Sequence, residues 1–116
     1  MTATFAFNER GIEILTPDGF QPFGGVSRSQ KKVIELHFDN ARITCTPDHR
    51  FFKENGTKIT AREMKVGDRI AALTNSGYAV LTDIRDPEST EYVYDVIEVE
   101  GGYRYYANGI LSSNWE

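Results

Sequence analysis

Tight-turn signals cut this chain into short pieces, and they constrain its fold more than any other feature. Pro17-Asp18-Gly19, Asp39-Asn40, Glu54-Asn55-Gly56-Thr57, Asn75-Ser76-Gly77, Gly101-Gly102 and Asn108-Gly109 all suit turns. Between them apolar residues alternate with polar ones, as in Val33-Ile34-Glu35-Leu36-His37-Phe38, or run on as in Tyr92-Val93-Tyr94-Asp95-Val96-Ile97-Glu98-Val99. That is the period of strands. Residues 11–16 read as a strand, residues 21–26 as a second one kinked at Gly24-Gly25, and residues 33–45 as a hairpin. Only Thr60-Ala61-Arg62-Glu63-Met64 suits a helical turn, and residues 85–89 read as a polar loop. The pattern predicts an all-β fold of about ten short strands with little helix.

The 116 residues are enough to bury a core in one domain without staples. A net charge of -4 gives no electrostatic reason to expect a nucleic-acid partner. The adjacent basic pair Lys31-Lys32 reads as a solvated hairpin. The single Cys45 excludes an internal disulfide, and with His37 and His49 it is too sparse for a structural zinc site, so no metal or cofactor is expected. No apolar run approaches the roughly 20 residues of a membrane span, and no charged-then-apolar leader opens the chain. The expected location is intracellular, in the cytoplasm.

Chemistry concentrates in Thr46-Pro47-Asp48-His49, where a hydroxyl, a carboxylate and an imidazole fall within four residues. Histidine titrates nearest neutrality and can lend a proton to a leaving amide nitrogen. The same tetrapeptide is also simply a good turn, because Pro presets φ and Asp hydrogen-bonds its own backbone. His37, on an alternating strand away from any acid pattern, reads as an ordinary strand residue. Cys45 alternates with Ile43 and reads as a packed thiol.

Several separated segments then resemble, in order, the blocks of one family. The chain is similar to an intein, a self-splicing protein element, and more broadly to the Hint fold shared with hedgehog-type autoprocessing domains. Ile12-Glu13-Ile14-Leu15-Thr16-Pro17-Asp18-Gly19 looks like the first block, and Thr46-Pro47-Asp48-His49 like the second, Thr-x-x-His. Ala61-Arg62-Glu63-Met64-Lys65-Val66-Gly67-Asp68 looks like the connector. Val93-Tyr94-Asp95-Val96 and Tyr105-Tyr106-Ala107-Asn108-Gly109-Ile110-Leu111-Ser112-Ser113-Asn114 resemble the last two blocks. The resemblance implies a minimal element over residues 6–114 with no homing endonuclease. Residues 1–5 and 115–116 would be flanking segments of the host protein and the only partners required. The element would be a monomer or a pair of natural split fragments, with breakpoints at residues 27–32 or 75–88.

The resemblance also implies a mechanism. A first residue with a nucleophilic side chain attacks the preceding carbonyl, and the acyl group passes to the first residue of the next segment. The terminal Asn then cyclises and cuts the chain. Mapped here, the first nucleophile falls at position 6 by its spacing to Thr16-Pro17-Asp18-Gly19, or one residue on at Phe7; Thr46 holds or distorts the scissile amide, and His49 protonates its nitrogen. Asp95 assists the first step. Ser113 is the penultimate residue, Asn114 cyclises, and position 115 is the second nucleophile. The His common before the aromatic pair is absent; Tyr103 stands in its place, followed by Arg104, which is either a fixed charge near Asn114 or an exposed strand residue.

Two departures bear on activity. Ala6 has no nucleophilic group, as in a Cys-to-Ala exchange made to trap the precursor, and an Ala-first subclass would need Cys or Ser where Trp115 stands. Splicing by this chain as written is therefore expected to fail, while cyclisation of Asn114 remains open. A relative that only cleaves at Asn114, and a catalytically dead β module that binds a partner, are the alternatives.

Overall fold

The computed structural model describes residues 4–97, 99 and 104–113. The expectations placed on Tyr103, Asn114 and Trp115, and the Gly101-Gly102 turn, lie outside these residues. Thirteen strands form among them, rather than about ten: β1 (Thr4–Phe7), β2 (Glu13–Thr16), β3 (Gly19–Pro22), β4 (Gly25–Lys32), β5 (Ile34–Phe38), β6 (Arg42–Cys45), β7 (Arg50–Phe52), β8 (Lys58–Thr60), β9 (Arg69–Ala71), β10 (Tyr78–Arg85), β11 (Thr90–Ile97), β12 (Arg104–Ala107) and β13 (Ile110–Ser113). One 3₁₀ turn, Ala61–Glu63, falls in the stretch expected to make a helical turn. No helix among the described residues is long and apolar enough to cross a membrane.

The strands make four small sheets, ordered β1-β4-β11, β6-β5-β10-β9, β12-β13-β7-β8 and β2-β3. Alternation sets which side of a strand is buried. In β5, Ile34, Leu36 and Phe38 turn into the core while Glu35 and His37 do not, and β6 adds Ile43 and Cys45. Phe51, Leu36, Ile70, Leu81 and Ile110 are the large fully buried side chains, contributed by β7, β5, β9, β10 and β13. β13 differs, because all four of its residues are buried. It pairs with β12 on one side and meets β7 on the other.

The differences from expectation share a cause. Residues 27–32, named above as a breakpoint between split fragments, and the Lys31-Lys32 pair, expected as a hairpin, lie in β4, the central strand of its sheet. β4 is polar and largely exposed along its second half, so neighbouring strands hold it rather than a buried face. β11 supplies that support, with Glu91 opposite Lys31 and Asp95 opposite Ser27. Thr4 and Phe5, read as part of a flanking segment, pair with Arg28 and Ser27 in the same sheet. The segment 21–26 is not one kinked strand: β3 ends at Pro22, and Gly24 N–H donates to the Ile97 carbonyl at 2.9 Å before β4 begins. His37 is not remote from acid groups, since its Nε2 lies 3.0 Å from Glu35 Oε1, two residues away on the same side of β5.

Gly25 requires the absence of a side chain. A Cβ there would collide with the Ala6 carbonyl oxygen and stand 3.1 Å from Phe5 Cζ. Asn108 and Gly109 both have positive φ, 49° and 78°, as expected of an Asn-Gly hairpin joining β12 to β13.

Candidate active site

The β5–β6 hairpin ends at Cys45 and delivers Thr46-Pro47-Asp48-His49 as a closed turn, with His49 N–H donating to the Thr46 carbonyl at 3.1 Å. A segment from further along the chain clamps it. Ala61 N–H donates to the His49 carbonyl and Arg62 N–H to the Pro47 carbonyl, each at 2.9 Å. The start of that 3₁₀ turn is fastened in its own right, because Glu63 Oε1 accepts from Thr60 N–H at 3.1 Å and from Thr60 Oγ1 at 2.7 Å. Backbone donors thus fix the position of His49 from outside its own hairpin.

The His49 ring rests edge-on against the fully buried Phe51, with centroids 4.7 Å apart and an interplanar angle of 70°. Burial lowers its pKa below 6.5, and the Asp95 carboxylate works in the opposite direction. At neutral pH the ring is therefore mainly neutral and can take up a proton. A cavity of about 200 Å³ opens beside it, lined by Cys45, Thr46, His49, Asp95, Tyr105 and Ser112, with Tyr92 and Tyr94 from β11. The Cys45 thiol is pushed up to about 12 by burial, which agrees with a packed role. Burial, with help from Asp95, also pushes Tyr105 up to about 12, so its phenol stays protonated.

Of the residues expected from the sequence, Thr46, His49 and Asp95 share this cavity. Asp48 does not belong with them. It points outward, its Oδ1 2.7 Å from Arg62 Nη2, with side chains 79% and 60% exposed. Ala6 is exposed and does not line the cavity, but it is tied to it by register. Ala6 faces Val26, which faces Val96, while Phe5 faces Ser27, which faces Asp95. The Phe5–Ala6 junction therefore lies two strand spacings, roughly 10 Å, across the sheet from the Asp95 row. Arg104 is half-buried and faces Ser113, itself buried, across β12–β13.

Phe51 faces Ser112 in the antiparallel β7–β13 pair, so β13 runs toward its Ser113 end alongside the end of β7 where His49 enters. The cavity residues missed by the sequence reading include Tyr105, Tyr92 and Tyr94 as walls and Ser112. Ser112 followed two aliphatics in a predicted strand, and only the flanking of β13 on both sides makes its hydroxyl buried.

No protein-family model matches the chain. Two DNA polymerases do. That of Thermococcus sp. (strain GE8) is 39% identical over 74 residues, 57% of this chain. That of Thermococcus aggregans is 37% identical over 95 residues, 75% of this chain. The chain spans only 4% and 5% of their lengths. Among solved structures, the transcription factor IIB Mvu mini-intein superposes with a TM-score of 0.79 at 19% identity, covering 97% of this chain and 77% of that one, a likeness of fold alone. The VidaL intein gives 0.78 at 28% identity over 88% of this chain and 69% of that one. The small curled sheets are those of a protein-splicing fold. A consensus engineered intein with an atypical split site is 34% identical, with a TM-score of 0.76, over 97% of this chain and 90% of its own. The chain belongs to the intein family.

Proposed function

We propose that this chain is a minimal splicing domain, residues 6–114, with flanking residues 1–5 and 115–116 as its substrate, and that Ala6 and Trp115 stop it short of ligation. The observation that carries the reading is the shared cavity: Thr46 and His49 from one turn and Asp95 from a distant strand line one space beside the end of β13.

In this reading Asp95 serves the N-terminal junction through the in-register row Phe5, Ser27, Asp95, and Thr46 and His49 act on the amide at position 6. Alanine at 6 supplies no attacking group and tryptophan at 115 accepts no acyl group, so no acyl transfer takes place. C-terminal cleavage needs neither. Asn114 Nδ2 attacks the Asn114 carbonyl carbon and the bond to the Trp115 nitrogen breaks. One proton leaves Nδ2 and one arrives on the departing amine, and the products are a C-terminal succinimide and free Trp115-Glu116. Neutral His49 is suited to carry that proton, with Ser113 and Arg104 flanking the step. Holding the amide nitrogen against the carbonyl can supply up to roughly 7–11 kcal/mol of the barrier.

Intact mass spectrometry of the full chain during long incubation at neutral pH tests this. The expected result is loss of Trp115-Glu116 that stops in Asn114→Ala and slows in His49→Ala. A fusion carrying Ala6→Cys and Trp115→Ser is expected to ligate its flanks. Cleavage without ligation in the repaired fusion would favour a cleavage-only relative. No processing from either chain would leave only a binding module.

A further inference from the structure

The residues on either side of Ala6 hold one another. The Phe5 and Phe7 rings meet edge to face, with centroids 4.7 Å apart and an interplanar angle of 79°. Two apart on β1, they share a side of the strand. The cross-strand row Phe5, Ser27, Asp95 makes that the side of the sheet that carries Asp95. Gly25, opposite Phe7 on β4, is buried. A Cβ on it would stand 3.1 Å from Phe5 Cζ, so the Phe5 ring comes this close to the β4 main chain because no side chain is there. Core packing does not account for the pair: Phe5 is 44% and Phe7 74% exposed, and neither belongs to the buried cluster that holds Leu36, Phe51 and Ile110. Large apolar side chains left outside the core on an edge strand are a liability to folding, so their contact calls for another reason.

Resting on the reading above, in which position 6 opens the splicing domain, we infer that Phe7 and Gly25 form a recognition seat for an aromatic side chain at position 5, the last residue of the preceding host segment. Gly25 supplies the floor and the Phe7 ring the wall. Position 5 also supplies the acyl group. With a thiol at position 6, sulfur attacks the Phe5 carbonyl carbon and the bond to the residue 6 nitrogen breaks. The thiol proton ends on that nitrogen, and a thioester remains. The Phe5 side chain is carried on the Cα next to the attacked carbon, so seating the ring limits the orientations in which the carbonyl meets the thiol. An aromatic side chain suits the seat because an edge-to-face contact needs a second ring, with its negative face and positive edge; an aliphatic or charged side chain lacks them. The exposure of the pair fits this role. The host residue has to leave with its acyl group, which a shallow seat permits and a deep pocket would oppose.

A recognition seat has a signature that a structural contact lacks. In the full chain carrying Ala6→Cys, thiol-induced loss of residues 1–5 is followed by intact mass spectrometry. Phe5→Ala is expected to slow it roughly three- to tenfold, and Phe5→Tyr, which keeps the ring, to restore most of the rate. Phe7→Ala is expected to slow it by a similar factor when Phe5 is present and to add little in Phe5→Ala, so that the two losses do not multiply. Release of Trp115-Glu116 is expected to keep its rate in each of these variants. Equal thiol-induced rates with Phe5 and with Phe5→Ala would overturn the inference and leave the splicing reading intact. Losses that multiply, or equal slowing at both junctions, would also overturn it, by marking Phe7 as structural. No thiol-induced cleavage from any chain carrying Ala6→Cys would remove the assignment of position 6, and this inference with it.

Discussion

Replacing Gly25 by alanine should destabilise the protein and disturb the N-terminal junction specifically. A glycine with no positive φ, inside a strand, is normally improved by alanine. Restricting the unfolded chain contributes about 0.4–1 kcal/mol in favour of the folded state. Here the sign reverses. The new Cβ meets the Ala6 carbonyl oxygen, a main-chain atom that cannot rotate aside, and the Phe5 ring 3.1 Å away. Overpacking of this sort costs about 1–3 kcal/mol, and against the entropic gain the net is about 1–2 kcal/mol of destabilisation. With an unfolding entropy of about 2.1 cal/mol/K per residue, this chain should lose about 4 °C of Tm per kcal/mol, hence about 4–8 °C. Among the described residues β1 pairs only with β4, so the strand should shift outward rather than the core deform. Urea and thermal denaturation measure the first part. The second is read in an Ala6→Cys background, where thiol-induced cleavage before position 6 should slow more than release of Trp115-Glu116. A Gly25→Ala variant as stable as its parent, with both junctions reacting at parental rates, would refute the close approach.

Other perturbations follow from the site. Phe51→Ala should cost about 3–5 kcal/mol, since Phe51 is fully buried and leaves a void under the His49 ring, and urea unfolding should register it. His49 titrates lower in the folded state than in the unfolded one, so its contribution to stability is present above pH 6.5 and is lost as pH falls through its lowered folded value. Unfolding free energies at pH 7.5 and 5 should therefore differ more in the parent than in His49→Gln. Cys45, buried and pushed up to about 12, should resist iodoacetamide at pH 8 in the native protein and react in denaturant; rapid native labelling would contradict the packing.

Much of this was legible from turn chemistry. Asn108-Gly109 and the Asp39-Asn40 turn specify hairpins through local backbone preferences alone, and both form. The short helical turn could be read from Thr60 and Glu63, whose side chain and backbone satisfy each other across three residues. β4 escaped because it is polar and exposed along its second half, and its pairing with β1 and β11 comes from residues far apart in sequence. At the site, Thr46 and His49 were readable as a pair, but Asp48 was not separable from them. The partner that turns it outward, Arg62, arrives with the connector. Ser112 was hidden for the same reason. Whether a serine at a strand end is solvated or buried depends on what lies on both sides of the strand, and alternation reports on only one.

The two ends of the described chain are held very differently, and this bears on how one fold could time two reactions. β13 is pinned on every flank: by β12 across four residue pairs, by Phe51 on β7, and by the Ala72–Ile110 bridge. The hairpin before it is tied back through Asn108 Nδ2 to the Arg42 carbonyl at 3.0 Å and Leu73 N–H to the Gly109 carbonyl at 2.7 Å. Among the described residues β1 pairs with one strand, and its Phe5, Ala6 and Phe7 are all exposed. Orientation lowers a barrier only where the frame is stiff, and local opening begins where buried contacts are fewest. In the proposed reaction, the slow cyclisation is therefore assigned to the rigid end. The N-terminal junction, which must change its bonding partner and move its acyl group, is left to a sheet edge that can yield. Hydrogen exchange should separate them, with amides of β13 and β7 protected for far longer than those of β1; equal protection would mean that the asymmetry has no dynamic consequence.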